Sequence, residues 1–365
     1  MKTVYYVGMD VHKDSVRIAV LKGAEKQTVY EATVKNEVPR IVKKVHEYKA
    51  KGAVVAGYEA GCMGYTLQRS LAKVGVECRV IPPNRVARTG SQKIKTDTRD
   101  AILIARMLKN NEGDSIYVPT ADDEAARDLL RCREDIKSEV LRTKQQLSKF
   151  LMRTGFIYEQ GKKQWTKAHR DWMASQAFAH ELQRETFEQY ISHLLELEDR
   201  LERIEAKIVD VANDAPYRER VSQLRCFKGI DYIIALALVC EVGDFRRFPT
   251  AASFMAYLGL VPSEYSSGGK RRQGGITKTG NSHLRKLLIE TSWHYRYRGA
   301  PSGKLQARRI GMDETVIAYA DKAMNRLQAK FAKLVYRGKS TKTAVAATAR
   351  ELSGFIWGAM NATYS

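Results

Sequence analysis

Three runs near the start of the chain alternate apolar and polar positions with the period of two expected of half-buried strands: residues 3–9 (TVYYVGM), 15–21 (SVRIAVL) and 27–34 (QTVYEATV). Short polar links separate them, so they read as three successive antiparallel strands. The period then changes. Residues 37–51 carry helical spacing, 53–58 (AVVAGY) form a continuous apolar run suited to a buried strand, 63–74 are helical again, and 77–81 (ECRVI) are a strand stopped by Pro82 and Pro83. A further helix is expected over 97–108.

Beyond residue 115 the strand signal disappears. Two long amphipathic helices are expected, over about 122–154 and 181–211. In the second, Tyr190, Leu194, Leu197, Leu201, Ile204, Ile208 and Val211 keep the alternating spacings of four and three that make a coiled-coil seam. Leu129, Ile136, Val140 and Leu147 form a similar stripe on the first. The seam does not name its partner, so the pair could close within one chain or join two chains. Residues 213–216 break the second helix. The remainder, 217–365, reads as mostly helical, with one basic Gly- and Ser-rich insertion at 263–281 and an apolar buried helix at 232–240.

Composition narrows the class. The chain has 365 residues, 44% of them hydrophobic, enough for a substantial core and more than one domain. Lys and Arg number 62 against 41 Asp and Glu, a formal charge of +21, which predicts attraction to a polyanion, nucleic acid above all. The five cysteines, Cys62, Cys78, Cys132, Cys226 and Cys240, contain no CxxC pair and are odd in number, which argues against a disulfide framework or a zinc cluster and fits a reducing cytoplasm. The N-terminal segment has no signal-peptide core, and no apolar stretch is long enough to span a bilayer.

Against that basic background, four carboxylates stand at element ends. Asp10 follows the first strand in GMDVHKDS, Glu59 follows the fourth, and Asp97 and Asp100 lie i, i+3 in KTDTRDA at the start of a helix, on one helical face. A strand meander followed by βα units is the order of a ribonuclease-H-like domain, in which strands one and four are neighbours. Four converging carboxylates repel one another unless a cation lies among them, and hard oxygen donors select Mg²⁺ or Mn²⁺. Each acid also has a plainer reading: Asp10 as a turn residue, Glu59 as a loop acid, Asp97 as a helix cap with Asp100 as a favourable first-turn charge. His12 and Lys13 are expected to face phosphate or solvent.

A second concentration of chemistry is the insertion. Tyr265-Ser266-Ser267-Gly268-Gly269-Lys270-Arg271-Arg272 sets hydroxyls beside glycines and a cationic run, and 274–281 (GGITKTGN) repeats the character with Lys278. By themselves these residues suggest a phosphate clamp. Upstream, LRCFKGID (224–231) resembles a helix-hairpin-helix turn. Trp293, Tyr295 and Tyr297 interleave with His294, Arg296 and Arg298, a mixture suited to stacking and phosphate contact. Arg337-Gly338-Lys339-Ser340 mimics the end of a P-loop but lacks its first glycine and preceding strand, so nucleotide binding is excluded there.

Taken together, GMDVHKDS, YEAG, KTDTRDA, LRCFKGID, AYLGLVPSEYSSGGKRRQGGITKTGN and HLRKLL, in this order, resemble the DEDD-type insertion-sequence transposases, the bridge recombinases. The resemblance implies a RuvC-like N-terminal domain (1–115), a helical coiled-coil and dimerisation insertion (116–215) and a C-terminal transposase domain (216–365). It places the family's metal-binding acids on Asp10, Glu59, Asp97 and Asp100, and its nucleophilic serine on Ser267, with Ser266 the neighbouring alternative. Lys270, Arg271, Arg272, Lys278, Arg296 and Arg298 become candidate nucleic-acid contacts. It further implies Mg²⁺ or Mn²⁺, donor and target double-stranded DNA, a structured noncoding guide RNA, and a homodimer that assembles into a tetramer. Three other readings remain: a junction-resolving nuclease whose quartet activates water, an actin-like sugar kinase, and a non-catalytic RNA-binding protein.

Overall fold

The computed structural model describes residues 3–23, 25, 27–83, 97–112, 115–159, 161, 163–265 and 272–362, and only the backbone of Asp97 and Thr98. The chain divides into two compact units, Met1–Val118 and Pro119–Ser365.

The first unit is mixed α/β. Strands β1 (Val4–Val11), β2 (Ser15–Lys22) and β3 (Thr28–Lys35) form the expected meander; helix α1 (Val38–Lys49), strand β4 (Ala53–Glu59), helix α2 (Thr66–Lys73), strand β5 (Glu77–Ile81) and helix α3 (Asp97–Lys109) follow. The sheet order is β3-β2-β1-β4-β5, antiparallel across β1, β2 and β3 and parallel across β1, β4 and β5. Alternation sorts the side chains to two faces. Tyr5, Val7 and Met9 of β1 and Val54, Ala56 and Tyr58 of β4 pack with Ile41, Val45, Leu67 and Leu71 from α1 and α2. Tyr6 and Val55 point the other way, into a core with Ile104, Met107 and Leu108 of α3.

Helix α3 sits almost on the sheet backbone because Gly8 has no side chain. A Cβ at that position would strike the Ala101 carbonyl oxygen and the Ala105 amide nitrogen. Gly8→Ala must therefore displace α3, and such overpacking costs about 1–3 kcal/mol or more. A lower urea midpoint for the first unit is the expected result; an unchanged midpoint would show that the helix can slide without penalty.

The second unit is mostly helical. Its long helices α4 (Ala121–Arg153) and α6 (Glu181–Asn213) pack on each other within one chain, and α5 (Lys167–Ala174) lies in the connection between them. The pair is antiparallel: Arg133 meets Glu205 (2.8 Å), Lys144 meets Glu198 (2.6 Å) and Phe150 meets Tyr190 (5.8 Å between ring centroids). The stripe legible in the sequence forms its seam, since Val140, Leu147, Leu194, Leu197 and Ile208 are all buried. Partly exposed ion pairs add little, so the apolar seam sets the register. The 155–180 connection, where no element was expected, is closed by a cluster of Phe156, Trp165, His169, Trp172 and Phe178.

Helices α7 (Arg218–Arg225), α8 (Tyr232–Val242) and α9 (Ala251–Tyr257) follow, then a hairpin of β6 (Pro262–Glu264) and β7 (Gln273–Ile276), and then α10 (Ser282–Ser292), α11 (Gly303–Arg309), α12 (Glu314–Tyr336) and α13 (Thr341–Met360). The whole run Ala235–Val242 is buried at the centre of this core, as the apolar stretch at 232–240 requires. Each such Leu or Val contributes about 1.5–3 kcal/mol on burial. The insertion at 263–281 departs from expectation: part of it is a paired hairpin. Gly274 and Gly275 hid β7, because glycine carries no strand propensity and pairing with β6 overrides it. The segment that mimics a P-loop is a helix connection, with Ser340 capping α13 by accepting a hydrogen bond from the Thr343 amide at 3.2 Å.

Candidate active site and nucleic-acid surface

Two carboxylates of the first unit are brought side by side by strand register. Parallel pairing of β1 with β4 aligns Gly8 with Gly57 and Met9 with Tyr58, so Asp10 and Glu59 are the next step at the same sheet edge. Both belong to the alternation set Tyr6-Gly8-Asp10 and Val55-Gly57-Glu59, which faces α3. Helix α3 runs antiparallel to β1. Its Leu108 lies over Gly57, and Lys109 donates to the Glu25 carbonyl near the start of β1 (2.9 Å), so its first turn points to the strand end where Asp10 stands. Asp100 lies four residues before buried Ile104, and position 97 four before buried Ala101.

The geometry therefore directs Asp10, Glu59 and the N-terminal turn of α3 to one end of the sheet. Among the described residues, no three His, Cys, Asp or Glu side chains are gathered as a metal ion would need, and the side chain of Asp97 lies outside the description. The donor chemistry of Asp10 and Glu59, carboxylates at one strand edge, fits a hard divalent cation. His12 is 47% exposed, as expected of a residue facing solvent, and its Nε2 also lies 3.1 Å from Asp10 Oδ2, with the Asp10 side chain only 16% exposed. Cys78, Cys226 and Cys240 are buried packing groups, and burial pushes the Cys78 and Cys240 thiols up to about 12, far from a reactive thiolate.

In the second unit the hairpin carries the Ser-Gly segment. Ser266, Ser267, Lys270 and Arg271 lie outside the described residues, but the stem that presents them is defined. The Tyr265 amide donates to the Arg272 carbonyl (2.9 Å), Thr277 to Val261 (2.9 Å) and Lys278 to Gly259 (3.1 Å). Arg272 and Lys278 are exposed, and Lys278 adopts a left-handed φ of 57°, a conformation unusual for a residue with a side chain.

The turn between α7 and α8 is held from several sides. Asp231 caps α8 through the Tyr232 amide (2.8 Å) and pairs with Arg308 (2.7 Å), while Lys228 donates to the Tyr297 carbonyl (3.0 Å). Burial depresses the Lys228 pKa. Beyond α10, Arg296 and Arg298 line an open cleft of about 830 Å³ with Phe331, Lys333 and Tyr336. Tyr297 and Tyr336 are exposed there, but Tyr295 is not: at 1% exposure it belongs to the core, so only part of the aromatic-basic pattern is a surface. That it joins the same core as Phe227, Leu288 and Leu327 was invisible in the local sequence.

Comparison with known proteins decides the family. A DEDD transposase model of the IS110 group, described as "Transposase", matches residues 7–156, and the model described as "Transposase IS116/IS110/IS902 family" matches residues 221–306. The transposase for insertion sequence element IS1533 of Leptospira borgpetersenii is 36% identical over 341 residues, 92% of this chain and 97% of the relative. The putative transposase y4qE of Sinorhizobium fredii is 37% identical over 96% of this chain and 87% of its own length. The chain belongs to the IS110/IS116 family of DEDD transposases. A more distant relative, the transposase for insertion sequence element IS1111A of Coxiella burnetii, is 25% identical over 79% of this chain.

The two matched segments divide the candidate residues between them. The first runs from β1 through α4 and holds Asp10, Glu59, Asp97 and Asp100; the second runs from α7 into α11 and holds the hairpin with Ser267. Among the described residues no helix is long and apolar enough to cross a membrane.

Proposed function

We propose that this transposase joins donor and target DNA by transesterification, with Ser267 as nucleophile and a divalent cation, Mg²⁺ or Mn²⁺, held by Asp10, Glu59, Asp97 and Asp100. The observation that carries the reading is the convergence of Asp10 and Glu59 at one sheet edge, on the face to which the first turn of α3 points. When bound, the cation supplies charge stabilisation at the phosphoryl oxygens and the leaving group. The Ser267 hydroxyl oxygen forms a bond to phosphorus as the phosphorus bond to a DNA hydroxyl breaks, and the departing oxygen takes a proton. Attack by another DNA hydroxyl on the phosphoserine then releases Ser267. Because no water enters, the phosphodiester is conserved through the exchange.

In this reading the first unit is a RuvC-like, ribonuclease-H-fold domain. The pair α4 and α6 is the coiled-coil region through which protomers associate, as a dimer and then a tetramer. Arg272 and Lys278, with Lys270 and Arg271, contact phosphate beside the serine; Arg296 and Arg298 contact nucleic acid at the open cleft. A structured noncoding RNA from the same element guides the choice of donor and target, and the +21 charge supplies the affinity for both polyanions.

Metal removal tests the central claim. Strand cleavage and joining should stop on chelation and return with Mg²⁺ or Mn²⁺, whereas DNA binding at moderate salt should persist. Cleavage that continues in chelator would end the metal reading. His12 beside Asp10 favours one second reading, a nuclease in which the imidazole helps water attack the phosphate.

A further inference from the structure

Helix α8 carries one carboxylate, Glu241, in an otherwise apolar sequence, YIIALALVCEV. Its side chain is 8% exposed. Burying a charge is expensive unless it is paired, and an apolar side chain of similar size would serve the packing at least as well. What it holds is therefore informative.

One carboxylate oxygen accepts from Arg131 Nη2 at 3.1 Å; the other accepts from Asn281 Nδ2 at 3.1 Å, with Arg127 Nε at 3.8 Å. Arg127 also donates to the Cys240 carbonyl (2.7 and 2.9 Å) and to the Glu241 carbonyl (3.1 Å). The orientation of the Asn281 amide is fixed by its neighbours. A carboxylate only accepts and the Leu284 amide only donates, and Asn281 Oδ1 takes that amide hydrogen at 3.0 Å to cap α10.

Asn281 is the foot of the serine-bearing hairpin. Its own amide donates to the Tyr257 carbonyl (3.1 Å), at the point where the incoming strand leaves α9. Gly280, with φ of 70°, lets the outgoing strand pass so close that a Cβ would strike that same carbonyl. Arg285 bridges the two sides, donating to Leu258 (3.0 Å) and to Thr279 (2.8 Å). Both ends of the hairpin thus meet at Asn281, whose amide nitrogen is fixed by Glu241.

We infer that Glu241 is a positioning residue for the serine-bearing hairpin, acting through Asn281, with Arg127 and Arg131 of α4 holding its carboxylate in place. The inference rests on Ser267 being the nucleophile. Glu241 touches no substrate; its role is to keep the hairpin stem, Pro262–Tyr265 and Arg272–Lys278, in one orientation.

A swap of partners in the full chain tests this. Asn281→Asp keeps the helix cap but sets a second carboxylate against Glu241; adding Glu241→Gln returns a donor to the pair. Two readouts are followed: formation of the covalent protein–DNA adduct on saturating donor DNA, and amide hydrogen exchange at Thr277 and Lys278. Asn281→Asp should slow adduct formation about 10- to 100-fold, the scale of a charge-assisted hydrogen bond, and accelerate exchange at both amides. The double variant should recover to within a few-fold of the parent. Asn281→Ser, which caps but cannot reach Glu241, should slow the adduct in the same direction with little change in thermal midpoint, so a folding failure of the aspartate variant leaves the test intact.

A parent-like adduct rate in both Asn281 variants, or a double variant no faster than Asn281→Asp, would overturn the positioning role while the parent still forms its adduct. No adduct in the parent, or one that survives Ser267→Ala, would instead remove the nucleophile on which the inference stands, and the inference with it.

Discussion

Replacing Ser267 with alanine is expected to abolish the covalent protein–DNA adduct and to lower strand joining by about 10³-fold or more, the loss that follows removal of a nucleophile from an otherwise intact site. The variant should bind DNA normally, since the cationic residues around it are untouched, and Ser266→Ala should keep most activity. The hairpin stem is stitched at Tyr265–Arg272, Thr277–Val261 and Lys278–Gly259, and none of these bonds involves a Ser267 atom, so removal of that hydroxyl leaves them unchanged. The measurement is denaturing electrophoresis of the chain after incubation with labelled donor DNA and Mg²⁺. If Ser267→Ala still cuts strands, leaving free ends and no adduct, water is the nucleophile and the chain is a nuclease of the junction-resolving kind. An adduct that survives in Ser267→Ala but disappears in Ser266→Ala would move the chemistry one residue.

Asp10→Asn should be nearly as severe. The side chain sits at the end of β1, 16% exposed, beside Glu59 in the parallel register and on the face covered by α3. The change preserves shape and removes the charge, so DNA binding and the thermal midpoint should stay close to the parent. Cleavage and joining should fall by about 10²–10⁴-fold, the equivalent of several kcal/mol of lost electrostatic stabilisation by the cation. Raising the Mg²⁺ or Mn²⁺ concentration should recover part of the loss, because the defect is one of metal affinity. A variant that joins DNA at the parental rate would refute the assignment of Asp10. A fall in activity matched by a fall in midpoint would assign it to the fold. His12→Ala separates the two chemistries further. With Ser267 as nucleophile it should have a small effect, through the lost contact to Asp10; with water as nucleophile it should remove a base.

The elements of the first unit were legible almost to the residue because the hydrophobic period changes where the structure does. TVYYVGM, SVRIAVL and QTVYEATV alternate and pair as a meander; AVVAGY is continuous and becomes a strand with helices on both faces. The adjacency of Asp10 and Glu59 was likewise accessible, since it needs only the strand order. That both face α3 was not. It depends on Gly8 admitting the α3 backbone to one face, and a lone glycine in a strand does not say what approaches it.

In the second unit the stripe Leu194, Leu197, Leu201, Ile204 and Ile208 announced a seam, but periodicity is blind to the identity of the facing helix. The intrachain pairing with α4 emerges from contacts such as Arg133 with Glu205, 72 positions away. Tyr295 shows the opposite failure: its neighbours Tyr297 and Arg296 are exposed, and only its membership of the second unit's core buries it.

The sequence by itself determined the alternating strands, the long helices, the +21 charge and the family resemblance. These follow from local spacing and side-chain type, which need no partner. Only the tertiary structure decided which strand face carries Asp10 and Glu59, that His12 turns to Asp10, that a glycine-rich insertion pairs into a hairpin, and that a carboxylate in an apolar helix reaches Asn281 forty residues away. Each of these, whether between near neighbours such as His12 and Asp10 or between segments as distant as Glu241 and Asn281, depends on backbone and side-chain geometry that exists only once the chain has folded.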